Sequence, residues 1–134
     1  MIKELNFSSH QQFELMKITA EVEAFIRENQ IKEGIVYLFS PHATACLIVN
    51  EDESGIKKDI LKRILSLAPA KETYLHNEID NNARAHVIAS IIGPDIYFPV
   101  NQGQLVRGTW QEIFFVELDG PRTHRRVIIK IIEG

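Results

Sequence analysis

The chain has 134 residues, of which 45% are apolar and 25% charged, and it carries a net charge of −3 with one cysteine and five histidines. That length suits one domain around a single core, and an acidic balance argues against a non-specific nucleic-acid binder, which needs basic surface to displace counterions. A lone Cys46 excludes an intramolecular disulfide and a cysteine-only metal site.

MIKELNFSSH lacks the basic-then-apolar-then-small order of a signal peptide. No apolar run approaches the roughly 18 residues that span a bilayer. The expectation is a cytoplasmic soluble protein with no membrane partner. An anionic small molecule stays open as a ligand, because a few converging arginines act locally.

The first predicted helix covers residues 19–29, with Val22, Phe25 and Ile26 at helical spacing and Thr19 as its N-cap. Strands follow at 35–40 (IVYLFS) and 44–49 (TACLIV), both rich in β-branched residues. Cys46 falls inside the second run and reads as a small core residue. A stronger helix spans 54–67, where Ile56, Ile60, Leu61, Ile64 and Leu65 make one stripe and Pro69 stops it. A shorter helix runs from Asn82 to Ile92, capped by Asn81 or Asn82 and ended by Gly93-Pro94.

Strands at 95–100, 112–118 and 126–132 complete the chain. The last two flank DGPRTHR and are expected to form an antiparallel hairpin. Their near-continuous apolarity predicts cover on both faces, from a second sheet, helices or another subunit. The fold class is α+β: a compact single domain, mainly an antiparallel β-sandwich, with two or three helices.

Polar residues at element boundaries are the candidates for chemistry. His42 precedes a strand, His76 lies in LHNEIDNN, and His86 sits on the third helix; neutral imidazoles of this kind ligate zinc. Their spacing forms no motif, and the alternative is three separate histidines bonded to backbone carbonyls. Around His86 the helix offers Ala83, Ala89 and Ser90, small enough to admit a ligand or simply to pack closely. Asn82 stands at the helix start, where free N–H groups favour anions.

In GTWQEIFFVELDGPR, alternation puts Ile113, Phe115 and Glu117 on one face and Phe114, Val116 and Leu118 on the other. A carboxylate on an apolar face is paired, metal-bound or at a rim; for Glu117 the salt bridge is the commoner case. Arg122 follows Gly120-Pro121, with Arg125 and Arg126 close by, and is a candidate phosphate ligand.

PHATACLIVNE, HNEIDNNARAHVIASIIG and GTWQEIFFVELDGPR, in that order, resemble the YjbQ-like family, the secondary thiamine-phosphate synthase enzymes, over essentially residues 1–134. The resemblance implies an α+β sandwich domain assembled as a homotrimer. It implies a shared polar pocket with His42, His76 and His86 holding a divalent metal such as zinc, and with Glu51, Trp110, Gln111, Glu117 and Arg122 in neighbouring positions. The implied activity joins an aminopyrimidine-methyl diphosphate to a thiazole phosphate with loss of pyrophosphate, a small phosphorylated heteroaromatic substrate pair. In that scheme Glu51, Glu117 and Arg122 are catalytic, while Trp110, Gln111, Asn82 and Ser90 bind substrate. Two other readings use the same residues: a metal-dependent hydrolase of an anionic small molecule, and a non-catalytic trimer that binds a metal or ligand.

Overall fold

A computed structural model describes residues 1–134. Eight strands and three α-helices follow the order β1 (Ile2–Phe7), β2 (Glu14–Lys17), α1 (Thr19–Glu28), β3 (Gly34–Phe39), β4 (Ala45–Asn50), α2 (Ser54–Ser66), α3 (Ala83–Ile92), β5 (Asp95–Asn101), β6 (Gln104–Leu105), β7 (Glu112–Glu117) and β8 (Arg125–Glu133). A short 3-10 helix, Leu75–Glu78, precedes α3. The strands form a five-stranded sheet, β1-β8-β3-β5-β6, and a three-stranded sheet, β2-β7-β4, with every pairing antiparallel. The α+β sandwich expected from the strand pattern is therefore present.

Alternation along the strands builds two cores. Ala45 and Leu47 of β4, with Ile113 and Phe115 of β7, face the large sheet and meet Val36, Leu38, Val127, Ile129 and Ile131. Helix α1 feeds Val22, Phe25 and Ile26 into the same core. The opposite face of the small sheet turns Cys46, Val116 and Leu118 towards Ile64 and toward Ala85, Ile88 and Ala89 of α3. So the order of layers is large sheet, small sheet, then helices α2 and α3. Cys46 is fully buried, and burial pushes its thiol up to about 12, as befits a core residue.

Three local expectations need correction. The last two strands do not form a hairpin: β7 lies between β2 and β4, whereas β8 lies between β1 and β3 in the other sheet. Both edges of each strand are already satisfied by those neighbours, so the DGPRTHR connection crosses from one sheet to the other. Thr19 is the first residue of α1 rather than its cap, and its hydroxyl accepts the Ile113 N–H at 2.8 Å. Asn82 occupies the cap position of α3 without a side-chain capping bond; Asn77 Oδ1 accepts the Ala83 N–H instead, at 3.2 Å.

Two-sided burial within the chain holds for β4 and β7, whereas the large sheet is covered on its inner face. Within this chain its outer face leaves Ile2, Ile35, Tyr97 and Ile132 exposed. The strands β1 and β2 had no counterpart in the sequence reading, because IKELNF and ELMK alternate with charged and amide groups.

Candidate functional site

The crossing from β7 to β8 brings two carboxylate–arginine pairs to one end of the small sheet. Glu117 ends β7 and is fully buried; Arg125 opens β8 and is 6% exposed. Arg125 Nε and Nη2 donate to the Glu117 carboxylate at 2.9 and 2.6 Å. Its Nη2 also donates to Thr44 Oγ1 at 3.0 Å, and Ser9 Oγ donates to Glu117 Oε1 at 2.6 Å. Thus the apolar-face carboxylate is a salt-bridge partner, which is what so deeply buried a charge requires.

The second pair lies in the loop itself. Arg122 Nη2 donates to Asp119 Oδ2 at 2.7 Å, and its Nε donates to the Asp119 carbonyl at 2.8 Å. The same Asp119 oxygen accepts Asn82 Nδ2 at 2.8 Å. A carboxylate accepts only, so the amide nitrogen of Asn82 faces Asp119 and its oxygen faces His76 Nε2, 3.0 Å away. His76 Nε2 therefore carries the hydrogen, and in the neutral ring Nδ1 keeps the free lone pair. The His86 ring stands edge-on to it, with centroids 4.8 Å apart.

These groups surround a cavity of about 440 Å³ lined by Thr44, Asn82, His86, Asp119, Arg122, Thr123, His124 and Arg125. No hydrophobic residue lines it. Arg125 Nη1 has no partner in the chain, yet it is not sealed off: the Ser40 hydroxyl is the buried side-chain polar atom left unpaired. A guanidinium fixed on one side by Glu117 and open on the other is preorganised for an oxyanion.

The remaining candidates do not line the cavity. His42 Nε2 accepts the Arg126 N–H at 2.9 Å, and the ring packs edge-on against Phe115, 6.1 Å between centroids. Burial, then the neighbouring Arg125 charge, holds its imidazole below the ordinary value. Trp110 and Gln111 precede β7 and Glu51 follows β4, at the end of the small sheet remote from the cavity. Five strand steps from Glu112 to Glu117 span roughly 17 Å, too far for Trp110 to stack on a ligand held by Arg125 of the same chain. Gln111 Oε1 instead accepts the Gly108 N–H at 2.7 Å. Ser90 donates to the His86 carbonyl of its own helix at 2.8 Å.

Of the three histidines proposed as metal ligands, the structure brings His76 and His86 side by side. No group of three or more His, Cys, Asp or Glu side chains converges as a metal would require. His42 does not stand with them in that way: its Nε2 accepts the Arg126 N–H. Sequence reasoning missed Thr44, Asp119, His124 and Ser9 as parts of the site. Asp119 was legible in principle, since it begins DGPR beside Arg122; Ser9 was not, being more than a hundred residues away from its partners.

The family model for the UPF0047 protein YjbQ-like family matches residues 3–134. A UPF0047 protein of Archaeoglobus fulgidus is 40% identical over 129 residues, covering 96% of this chain and 99% of the relative. The UPF0047 protein YugU of Bacillus subtilis is 38% identical over 133 residues, covering 98% of this chain and 99% of the relative. Among solved structures, a YbjQ-like protein of unknown function from Sulfolobus solfataricus superposes with a TM-score of 0.97 at 42% identity, over 100% of this chain and 97% of that one. A hypothetical protein from Aeropyrum pernix superposes with a TM-score of 0.95 at 33% identity, over 100% and 99%. With the match running almost from end to end in both sequence and fold, the chain belongs to the YjbQ-like UPF0047 family.

Proposed function

We propose that the chain is a transferase for phosphorylated small molecules that forms thiamine phosphate, and that the cavity between α3 and the β7–β8 crossing holds its diphosphate. The observation carrying this reading is the open Nη1 of Arg125 beside Arg122, in a cavity without a hydrophobic wall. In the reaction, the carbon–oxygen bond of the pyrimidine-methyl diphosphate breaks and pyrophosphate leaves with the electron pair. The thiazole nitrogen then gives its lone pair to the methylene carbon, forming the carbon–nitrogen bond. The protein's task is to stabilise charge on the departing oxygens. Arg125 and Arg122 supply that charge, while His86 and His124 add donors at the rim.

Glu117 acts here by holding Arg125, not by touching substrate. Asn82 and Asp119 orient His76. A divalent ion such as zinc is confined in this proposal to the His76–His86 pair, and no step is routed through it. Metal analysis of the wild type beside His76→Ala and His86→Ala tests that element: equal metal content in all three removes it.

The homotrimer belongs to the same proposal. Exposed Ile2, Ile35, Tyr97 and Ile132 on the outer face of the large sheet support self-association, and a second copy would be needed for Trp110, Gln111 or Glu51 to approach a cavity. Sedimentation equilibrium of the wild type and Tyr97→Glu tests it; a monomeric wild type removes it.

The activity is tested by incubating the protein with both substrates and measuring thiamine phosphate and pyrophosphate together. Equal amounts of both, lost in folded Arg122→Ala, support the reading. Release of phosphate from generic phosphoesters without condensation would favour the hydrolase instead. His76 Nδ1, a free lone pair on the ring beside His86, is the feature on which that second reading stands.

A further inference from the structure

The arginine loop is tied to a segment far away in sequence. Residues 8–12, between β1 and β2, run alongside residues 120–123. The Ser9 N–H donates to the Arg122 carbonyl at 2.8 Å, and the Gly120 N–H donates to the Gln12 carbonyl at 3.1 Å. Ser8 Oγ donates to the Thr123 carbonyl at 3.1 Å. The segment is itself held, because the Glu14 carboxylate accepts the N–H groups of His10 and Gln11 at 2.9 and 3.2 Å. A Cβ at Gly120 would collide with the Gln11 carbonyl and lie 2.9 Å from Ser9 Oγ, so the two segments touch backbone to backbone.

At the centre of this contact is one hydroxyl. Ser9 is 5% exposed. Its Oγ donates to Glu117 Oε1 at 2.6 Å and accepts the Arg122 N–H at 2.9 Å. Glu117 is immobilised by the buried Arg125, whereas the Arg122 side chain is 52% exposed. A single oxygen therefore joins the rigid carboxylate–arginine pair to the backbone of the open one. An alanine here would remove the bond to Glu117 and leave the Arg122 N–H without its partner.

We infer that Ser9 is a positioning residue for the anion site, setting the place of Arg122 relative to Arg125 through Glu117. The inference rests on the reading of Arg122 and Arg125 as the anion-holding pair. Ser9 touches no ligand in this arrangement; it acts through the loop that carries Arg122. The spacing of the two guanidiniums then decides how well a diphosphate, with its two separated charges, is held.

The test is inorganic pyrophosphate binding by calorimetry to the wild type, Ser9→Ala, Ser9→Thr, Arg122→Ala and the Ser9→Ala/Arg122→Ala double variant. Loss of a hydrogen-bonded support to a charged site is expected to weaken binding about tenfold in Ser9→Ala. Ser9→Thr, which keeps the hydroxyl, restores it, and the Ser9→Ala effect disappears when Arg122 is already alanine. An equal loss in the Arg122→Ala background, or none at all, overturns the inference. Amide hydrogen exchange at Arg122 separates it from the functional reading. If the wild type binds no pyrophosphate, the anion-site reading fails. Exchange at Arg122 that is about tenfold faster in Ser9→Ala, with Val127 unchanged, still supports the positioning role; unchanged exchange overturns it.

Discussion

Two carboxylate–arginine pairs belong to one short connection, one at its ends and one within it, and their surroundings make them different devices. Glu117 and Arg125 are buried, bidentate and completed by Ser9 and Thr44. Asp119 and Arg122 share the chemistry, but the guanidinium is half-exposed and turned towards the cavity. A buried pair holds architecture even where one guanidinium nitrogen faces the cavity, because removing one partner strands a charge away from water. An open pair adds little stability, since solvent screens it, and its arginine remains available to a ligand.

The comparison breaks if the two arginines prove equally costly to remove. Arg125→Ala should destabilise the fold by about 3–5 kcal/mol in urea unfolding, because Glu117 is left buried without its counterion. Gly120→Ala should follow at about 1–3 kcal/mol, as the added methyl meets the Gln11 carbonyl, Glu117 Cγ and Ser9 Oγ. Arg122→Ala should cost no more than about 1 kcal/mol of stability, yet weaken pyrophosphate binding at least tenfold on the scale set by a charge-assisted hydrogen bond. A variant equal to wild type in calorimetric titration would remove Arg122 from the site.

The smallest effect concerns His42, beside the buried pair. Burial and the Arg125 charge hold its folded imidazole below the ordinary value of 6.5. The unfolded chain accordingly binds a proton that the folded ring refuses, so stability is complete above that value and falls as pH drops below it. His42→Gln should flatten this part of the urea-midpoint profile between about pH 5 and 7. An unchanged slope would show that His42 carries no such linkage.

Periodicity carried much of the fold. The stripe of Ile56, Ile60 and Ile64 marked α2, and the alternation of Phe115 with Val116 correctly sent those residues to different cores. It did not say that β7 and β8 belong to different sheets, because a turn-like connection specifies a change of direction and not the partner of each strand. Nor did it reveal α2's own cap: Glu53 accepts the Gly55 and Ile56 N–H groups at 2.6 and 2.8 Å, a local bond from a residue outside the usual capping set.

The site was legible in the same uneven way. Arg122 stood out by its Gly-Pro turn, and Glu117 by its charge on an apolar face, both local signals. His76, His86 and Asn82 were singled out and do gather. Glu51, Trp110 and Gln111 were grouped with them by resemblance, and the strands hold those three apart from the cavity within one chain.

By itself, then, the sequence determined the three helices, five of the eight strands, the two-sided burial of β7, and the need for Glu117 to find a counter-charge, because these follow from side-chain period and desolvation. Only the tertiary structure decided that the counter-charge is Arg125, that Ser9 reaches Glu117 from across the chain, and that Arg122 stays open. Those pairings depend on which strands become neighbours, and a strand's hydrogen-bonding edges carry no record of their partner in the residues alone.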